Sequence, residues 1–261
     1  MRRRLWWLVV LGLLAAAVWA AADDLDGPAI VRKMAKQNES TSLVTKAKMI
    51  VVDAGGKERI RDLIMRSKMV NNLRNSVTTF LSPPDVRGVK FLVIENKNGD
   101  DDQRIFLPEL KRVRRITSSN KSGSFMGSTF SYADLQTPNP DKGKHKRLPD
   151  QQMGGFDCYT VESTSKNPDD YVYGRFIYWV RKDNFMPVRA DFYDKKNAPL
   201  KVLEISDFQQ RTDGTWYAKR TKMTNVQDKT STTLEVSDYQ VGAAIDDEYF
   251  SERFLADENR E

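Results

Sequence analysis

The chain has 261 residues, 42 Lys and Arg against 36 Asp and Glu, a formal net charge of +6 and one cysteine. That length can bury a sizeable core, and a single cysteine excludes a disulfide scaffold. The charge surplus is too small to argue for a nucleic-acid partner.

The first 22 residues read as a Sec-type signal peptide: Arg2 to Arg4, an apolar run from Leu5 to Ala17 and beyond, then Ala20-Ala21-Ala22 before Asp23. Cleavage after Ala22 removes three arginines and no acid, leaving 239 residues with net charge +3. An uncleaved anchor is the competing reading, because Trp19 sits late in the run. No cysteine stands at the cleavage site for lipid attachment. The expectation is a periplasmic or secreted monomer with one domain over 23–261.

DGPAIVRKMAKQNES predicts a helix, with Asp26 as cap, Pro28 in the first turn and Ile30, Val31, Met34 and Ala35 on one face. Strand signals follow. LVTKAKMIVVD and KERIRDLIMRSKMV flank a hairpin turn at Ala54-Gly55-Gly56; NSVTTFLSP, VKFLVIEN, QRIFL and RVRRI come next. Beyond Pro149 come FDCYTVEST, GRFIYWVRK, MPVRADFYDK, LKVLEISDFQ, GTWYAKRTKMTNV and STTLEVSDYQV. Short strands at regular spacing with little helix between them argue an antiparallel meander of about eleven strands. Loops are expected around Ser118 to Gly127 and Thr137 to Lys146.

In FIYWVRK, Phe176, Tyr178 and Val180 point one way and Ile177 and Trp179 the other. A strand apolar on both faces is either packed on both or lines a cavity. Cys158 lies within CYTVEST and is read as a packed apolar residue.

Catalytic signatures are missing. The only histidine, His145, lies in the charged segment DKGKHKRLP and is read as solvated; GxSxG, HExxH and CxxC do not occur. The run NGDDDQ lacks the spacing of a calcium loop and is read as a solvated turn. The basic ladder Lys111, Arg112, Arg114, Arg115 is either a solvated strand or an approach site for lipid phosphates. Phe125, Met126 and Phe130, on a loop with Gly123 and Gly127, suit the cap of an apolar cavity; a loop pinned to the core by Phe125 is the alternative.

The blocks FLSPPDVRGVKFLVIEN, DDDQRIFLPELKRVRRI and SGSFMGSTFSYADL, between Phe80 and Leu135, resemble the signature region of exported outer-membrane lipoprotein-sorting proteins, which are similar to the LolA/LolB-like periplasmic carriers. The resemblance implies a curved antiparallel half-barrel covering a helical lid, with an apolar cavity that holds acyl chains. It places Phe125, Met126 and Phe130 near the lid or cavity mouth and Tyr132 to Leu135 on a short lid helix. It also implies an inner-membrane transporter partner, of the resistance-nodulation-division (RND) type.

The expected protein is mainly β with a few helices: a non-enzymatic carrier without cofactor or metal, delivering lipid or lipoprotein acyl chains between membranes. Its cavity or lid candidates are Phe91, Phe106, Phe125, Met126, Phe130, Tyr132, Phe176, Tyr178, Trp179 and Trp216. Arg112, Arg114 and Arg115 are the candidates for anionic headgroups or membrane approach. A periplasmic adaptor that binds no lipid is the alternative, and an enzyme on lipid or glycan the third reading.

Overall fold

The computed structural model describes residues 25–37, 42–167, 172–211 and 214–260; the leader expected over 1–22 lies outside them. Helix α1 (Gly27–Lys36) starts where the sequence implies, with Asp26 Oδ1 accepting from the Ala29 amide at 2.7 Å and Pro28 in the first turn. Ile30 and Val31 are its buried residues of the apolar face.

Strands β1 (Ser42–Val52), β2 (Glu58–Val70), β3 (Leu73–Ser82), β4 (Lys90–Ile94), β5 (Asp102–Leu107) and β6 (Arg112–Arg115) form one meander. Strands β7 (Gly143–Met153), β8 (Phe156–Ser165), β9 (Arg175–Arg181), β10 (Pro187–Tyr193), β11 (Pro199–Gln210), β12 (Trp216–Asn225) and β13 (Thr230–Val241) form a second. Antiparallel pairing of β1 with β13 fuses the two into a single 13-stranded sheet whose edges are β6 and β7. The edges do not meet, so the curved sheet is a half-barrel, open on one side.

The strand alternation follows burial with period two. In β1, Ala47, Met49 and Val51 are buried on the inner face while Lys46 and Lys48 are exposed. Two chain segments then cover two faces. Residues 116–142 cross the inner face to carry the chain from edge to edge, and α1 packs beside them against β7 and β8. The C-terminal segment, with the short helix α2 (Glu252–Ala256), covers the outer face of β3 to β6 through Ile245, Phe250, Phe254 and Leu255.

Thirteen strands exceed the expected eleven, and the segment missed outright is β7, part of which was assigned to a loop. Its run GKHKRLPDQQM is polar because it is an edge strand, with Lys144 and Lys146 exposed and His145 and Arg147 half-buried under α1. The helix comes so close that a Cβ on Gly27 would lie 2.6 Å from the His145 carbonyl oxygen. Glycine is therefore required there.

Candidate functional site: the roofed inner face

The crossover is a chain of short turns. Ser118–Asn120, Phe125–Gly127, Tyr132–Leu135 and Pro140–Lys142 each form a single 3₁₀ turn, so the expected lid helix at Tyr132 is one turn, closed by a capping box between Ser131 and Asp134. Two phenylalanines anchor the segment to the sheet. Phe125 is 2 % exposed and packs at ring-centroid distances of 5.0 Å from Phe91 and 5.8 Å from Phe80 and Tyr132. Phe130 enters a second cluster with Tyr173, Phe176, Ala190, Phe192 and Met223, to which Tyr178 adds. Seven expected cavity or lid residues, Phe91, Phe125, Met126, Phe130, Tyr132, Phe176 and Tyr178, are thus brought to one face.

The other anchors are polar. Met126 holds φ 50° and Gly127 φ 68°, a left-handed pair that costs a non-glycine residue about 1 kcal/mol or more. The Arg61 guanidinium, itself buried, holds this turn by donating to the Met126 carbonyl at 2.6 Å. Desolvation, followed by the charge of Arg59, lowers the pKa of Arg61, with Asp85 opposing. Gln103 donates to the Tyr132 carbonyl at 2.9 Å, and the Thr129 amide donates to Thr232 Oγ1 at 2.9 Å. Asp134 accepts from Lys201 at 3.0 Å and from the Tyr173 hydroxyl at 2.7 Å, joining the crossover to β11.

Two cavities flank the Phe125–Gly127 turn, and Ser122, Ser124 and Gly127 line both. The one toward β5 and β6 measures about 440 Å³, with Ile105, Leu107, Ile116, Met126 and Tyr132 in its wall and Arg114 at its rim. The other, about 280 Å³, lies toward the ends of β1, β12 and β13, and eleven of its fifteen lining residues are polar or charged. The turn is therefore a partition across one trough.

The basic ladder divides by strand parity. Arg112 and Arg114 stand opposite Leu107 and Ile105 and share the inner-face side. Arg115 stands opposite Arg104 on the other side and donates to Asp102 at 2.9 Å, so it is not brought to the trough. At the β5–β6 turn Leu110 is 49 % exposed, beside Lys111 and Arg112.

Three more candidates fall on the outer face. Phe106 packs with Phe250 and Phe254 under the C-terminal cover. Trp179 packs with Cys158 and Val188 and donates to Gln151 at 2.9 Å. Trp216 lines an outer groove of about 540 Å³ with Met153, Phe156, Val188 and Phe208, and the Arg181 guanidinium lies 3.9 Å from the Phe156 ring. Cys158 is fully buried there, and burial pushes its thiol up to about 11.

Two readings need correction. His145 is not simply solvated: Nδ1 lies 2.8 Å from Ser163 Oγ and Nε2 2.8 Å from the Pro140 carbonyl. The acidic run is a hub rather than a solvated turn. Asp100 pairs with Lys121 at 2.5 Å, Asp101 accepts from the Thr137 amide at 2.7 Å, and Asp102 binds Arg104 and Arg115. The first two tie the crossover down at both ends. Among the described residues no cluster of three His, Cys, Asp or Glu side chains could hold a metal ion.

The half-barrel, roofed on its inner face by its own crossover, recurs in solved structures. It aligns with a LolA superfamily protein from Nitrosomonas europaea at TM-score 0.70 and 19% identity, covering 88% of this chain and 99% of that one, a likeness of fold. An outer membrane lipoprotein-sorting protein domain from Vibrio parahaemolyticus matches at TM-score 0.84 and 32% identity, over 88% of this chain and 98% of that one. A DUF1329 family protein from Desulfovibrio piger matches at TM-score 0.84 and 31% identity, over 88% and 97%. A family model described as an uncharacterized protein spans residues 72–257, and no curated protein matches. The chain belongs to the family of these outer membrane lipoprotein-sorting, or DUF1329, proteins.

Proposed function

We propose that this protein is a periplasmic carrier that takes lipid or lipoprotein acyl chains beneath the crossover and delivers them between membranes, with an inner-membrane transporter, of the RND type, as its partner. One observation carries the reading: the cover closes the apolar inner face with a few side chains, Phe125 and Phe130 the largest buried ones beside Ile116, Met126, Tyr132 and Leu135, and a partition turn between two cavities. An acyl chain is a chemical substitute for those side chains.

The magnitudes support exchange rather than trapping. Burying a dozen methylenes contributes about 10 kcal/mol at about 0.8 per methylene. Withdrawing Phe125 and Phe130 costs about 3–6 kcal/mol, and five hydrogen bonds cost about 5 more. The surplus is small, so a receiving site with a slightly better apolar surface draws the chain out. Arg112, Arg114 and exposed Leu110 make the β6 edge the side that approaches an anionic membrane.

The outer groove at Phe208 and Trp216 favours a second reading, an adaptor that docks an envelope protein there and binds no lipid. Native mass spectrometry of the protein purified from periplasm without detergent, followed by lipid extraction, separates the two. The carrier reading predicts a stoichiometric bound lipid. A clean apo mass, with no binding of a fluorescent fatty-acid probe, supports the adaptor.

A further inference from the structure

The smaller cavity carries charged side chains of both signs in its wall. Its volume of about 280 Å³ lies below the range of a whole drug-sized ligand, so it suits a headgroup better than a lipid. The crossover contributes Ser122, Ser124, Ser128 and Ser131, and β13 adds Thr230. Four charged side chains, two of each sign, complete the wall: Arg59 and Lys201 against Asp53 and Asp228.

Lys201 is buried, at 8 % exposure, and two of its three N–H donors go to Asp134 and the Tyr173 hydroxyl. No third partner is present among the described residues, and Lys201 lines the pocket. Arg59 is exposed at the mouth and forms no ion pair among the described residues. Asp53 Oδ1 is committed to its own turn, accepting from the Gly55 and Lys57 amides. Asp228 is exposed, with Oδ2 accepting from the Asn225 side-chain Nδ2 at 2.7 Å. A simple anion would meet two carboxylates here, and a simple cation would meet two cations. A ligand with both charges a few bonds apart meets complementary partners.

Resting on the carrier reading, we infer that this cavity is the headgroup site of a zwitterionic phospholipid, an ester of phosphate with a short amino alcohol. Arg59 and Lys201 hold the phosphate, Asp228 holds the ammonium, and the serine and threonine hydroxyls bind the ester and glycerol oxygens. The acyl chain runs under the displaced Phe125–Gly127 turn, because the same three residues line both cavities. Its end points to the larger cavity at β5 and β6, whose apolar wall is Ile105, Leu107, Ile116 and Met126 and whose lining includes Arg114. Release to a membrane at that edge is then tail first.

The test is displacement of a fluorescent fatty acid by lysophosphatidylethanolamine, lysophosphatidylglycerol and unlabelled fatty acid, all below their micellar concentrations. The wild-type protein should prefer lysophosphatidylethanolamine by about fivefold, the equivalent of one modest charge-assisted contact. Asp228→Asn should erase that preference and leave lysophosphatidylglycerol binding unchanged. Arg59→Gln should weaken both phospholipids and spare the fatty acid. Free phosphoethanolamine should not compete at millimolar concentration; competition as strong as the lipid's would mean a site for a free metabolite and overturn the inference. Equal affinity for all three amphiphiles, or variants that shift all alike, would overturn it while leaving the carrier intact. Failure of the probe itself to bind would remove the carrier reading.

Discussion

The same half of the sheet carries two covers, and they are built differently. The outer cover packs Ile245, Phe250, Phe254 and Leu255 within eleven residues, with Phe254 at 1 % and Leu255 at 0 % exposure. A buried lysine, Lys90, caps it by donating to the Phe254 and Asp257 carbonyls. The inner cover spreads Phe125 and Phe130 among six serines and two glycines from Ser118 to Ser131, and cavities flank its central turn. Its fastening is largely side chain to backbone: Arg61 to Met126, Gln103 to Tyr132, Asp101 to Thr137. A cover of continuous apolar packing stays shut, whereas one whose packing is interrupted by cavities and bridged by single hydrogen bonds can open locally.

That contrast is open to breakage. The largest effect is expected from Phe254→Ala, which should cost about 3–5 kcal/mol of global stability in denaturant titration, as a large-to-small change in a closed core does. The folded fraction should bind a fatty-acid probe as before; loss of binding by the folded variant would put the outer cover into the mechanism. Arg61→Leu should act on the other cover. Removing the latch on Met126 favours opening by about 1–3 kcal/mol, so probe affinity should rise about tenfold and the amides of Phe125 to Gly127 should exchange faster. Weaker binding would mean that Arg61 serves the ligand rather than the closed state.

The smallest effect concerns pH. The hydrogen bond from Lys121 is the main cause holding the Asp100 carboxyl below its ordinary value of 3.8. A depressed carboxylate stabilises the fold above its unfolded pKa and loses that contribution as pH falls through the folded value. Exchange of the amides near Lys121, corrected for intrinsic rate, should therefore rise below about pH 3.8 in the wild type. The step should vanish in Asp100→Asn and be absent at the outer cover.

Much of this architecture was legible in the chain. Alternation gave the antiparallel meander, and parity gave the two faces of β9. Parity could not say which face was which. Phe106, Trp179 and Trp216 look like cavity aromatics because a strand buried on both sides offers no internal mark of inside and outside. Strand β7 escaped because edge strands are charged, and charge reads as loop. The acidic hub escaped because its partners Lys121, Thr137 and Arg115 lie 13 to 36 residues away. Three consecutive acids close ahead of a basic ladder were the available signal.

The central claim is that the inner cover moves. Thr129 and Thr232 are buried against each other with their hydroxyl oxygens 3.1 Å apart, one on the crossover and one on β13. In the double variant Thr129→Cys with Thr232→Cys, an oxidised pair would bolt the cover to the sheet, and buried Cys158, with its raised thiol pKa, would not compete for the bond. Uptake of a fluorescent fatty acid should be lost in the oxidised protein and return on reduction. Equal uptake in both states would show that the chain binds without opening the crossover, and would contradict the account.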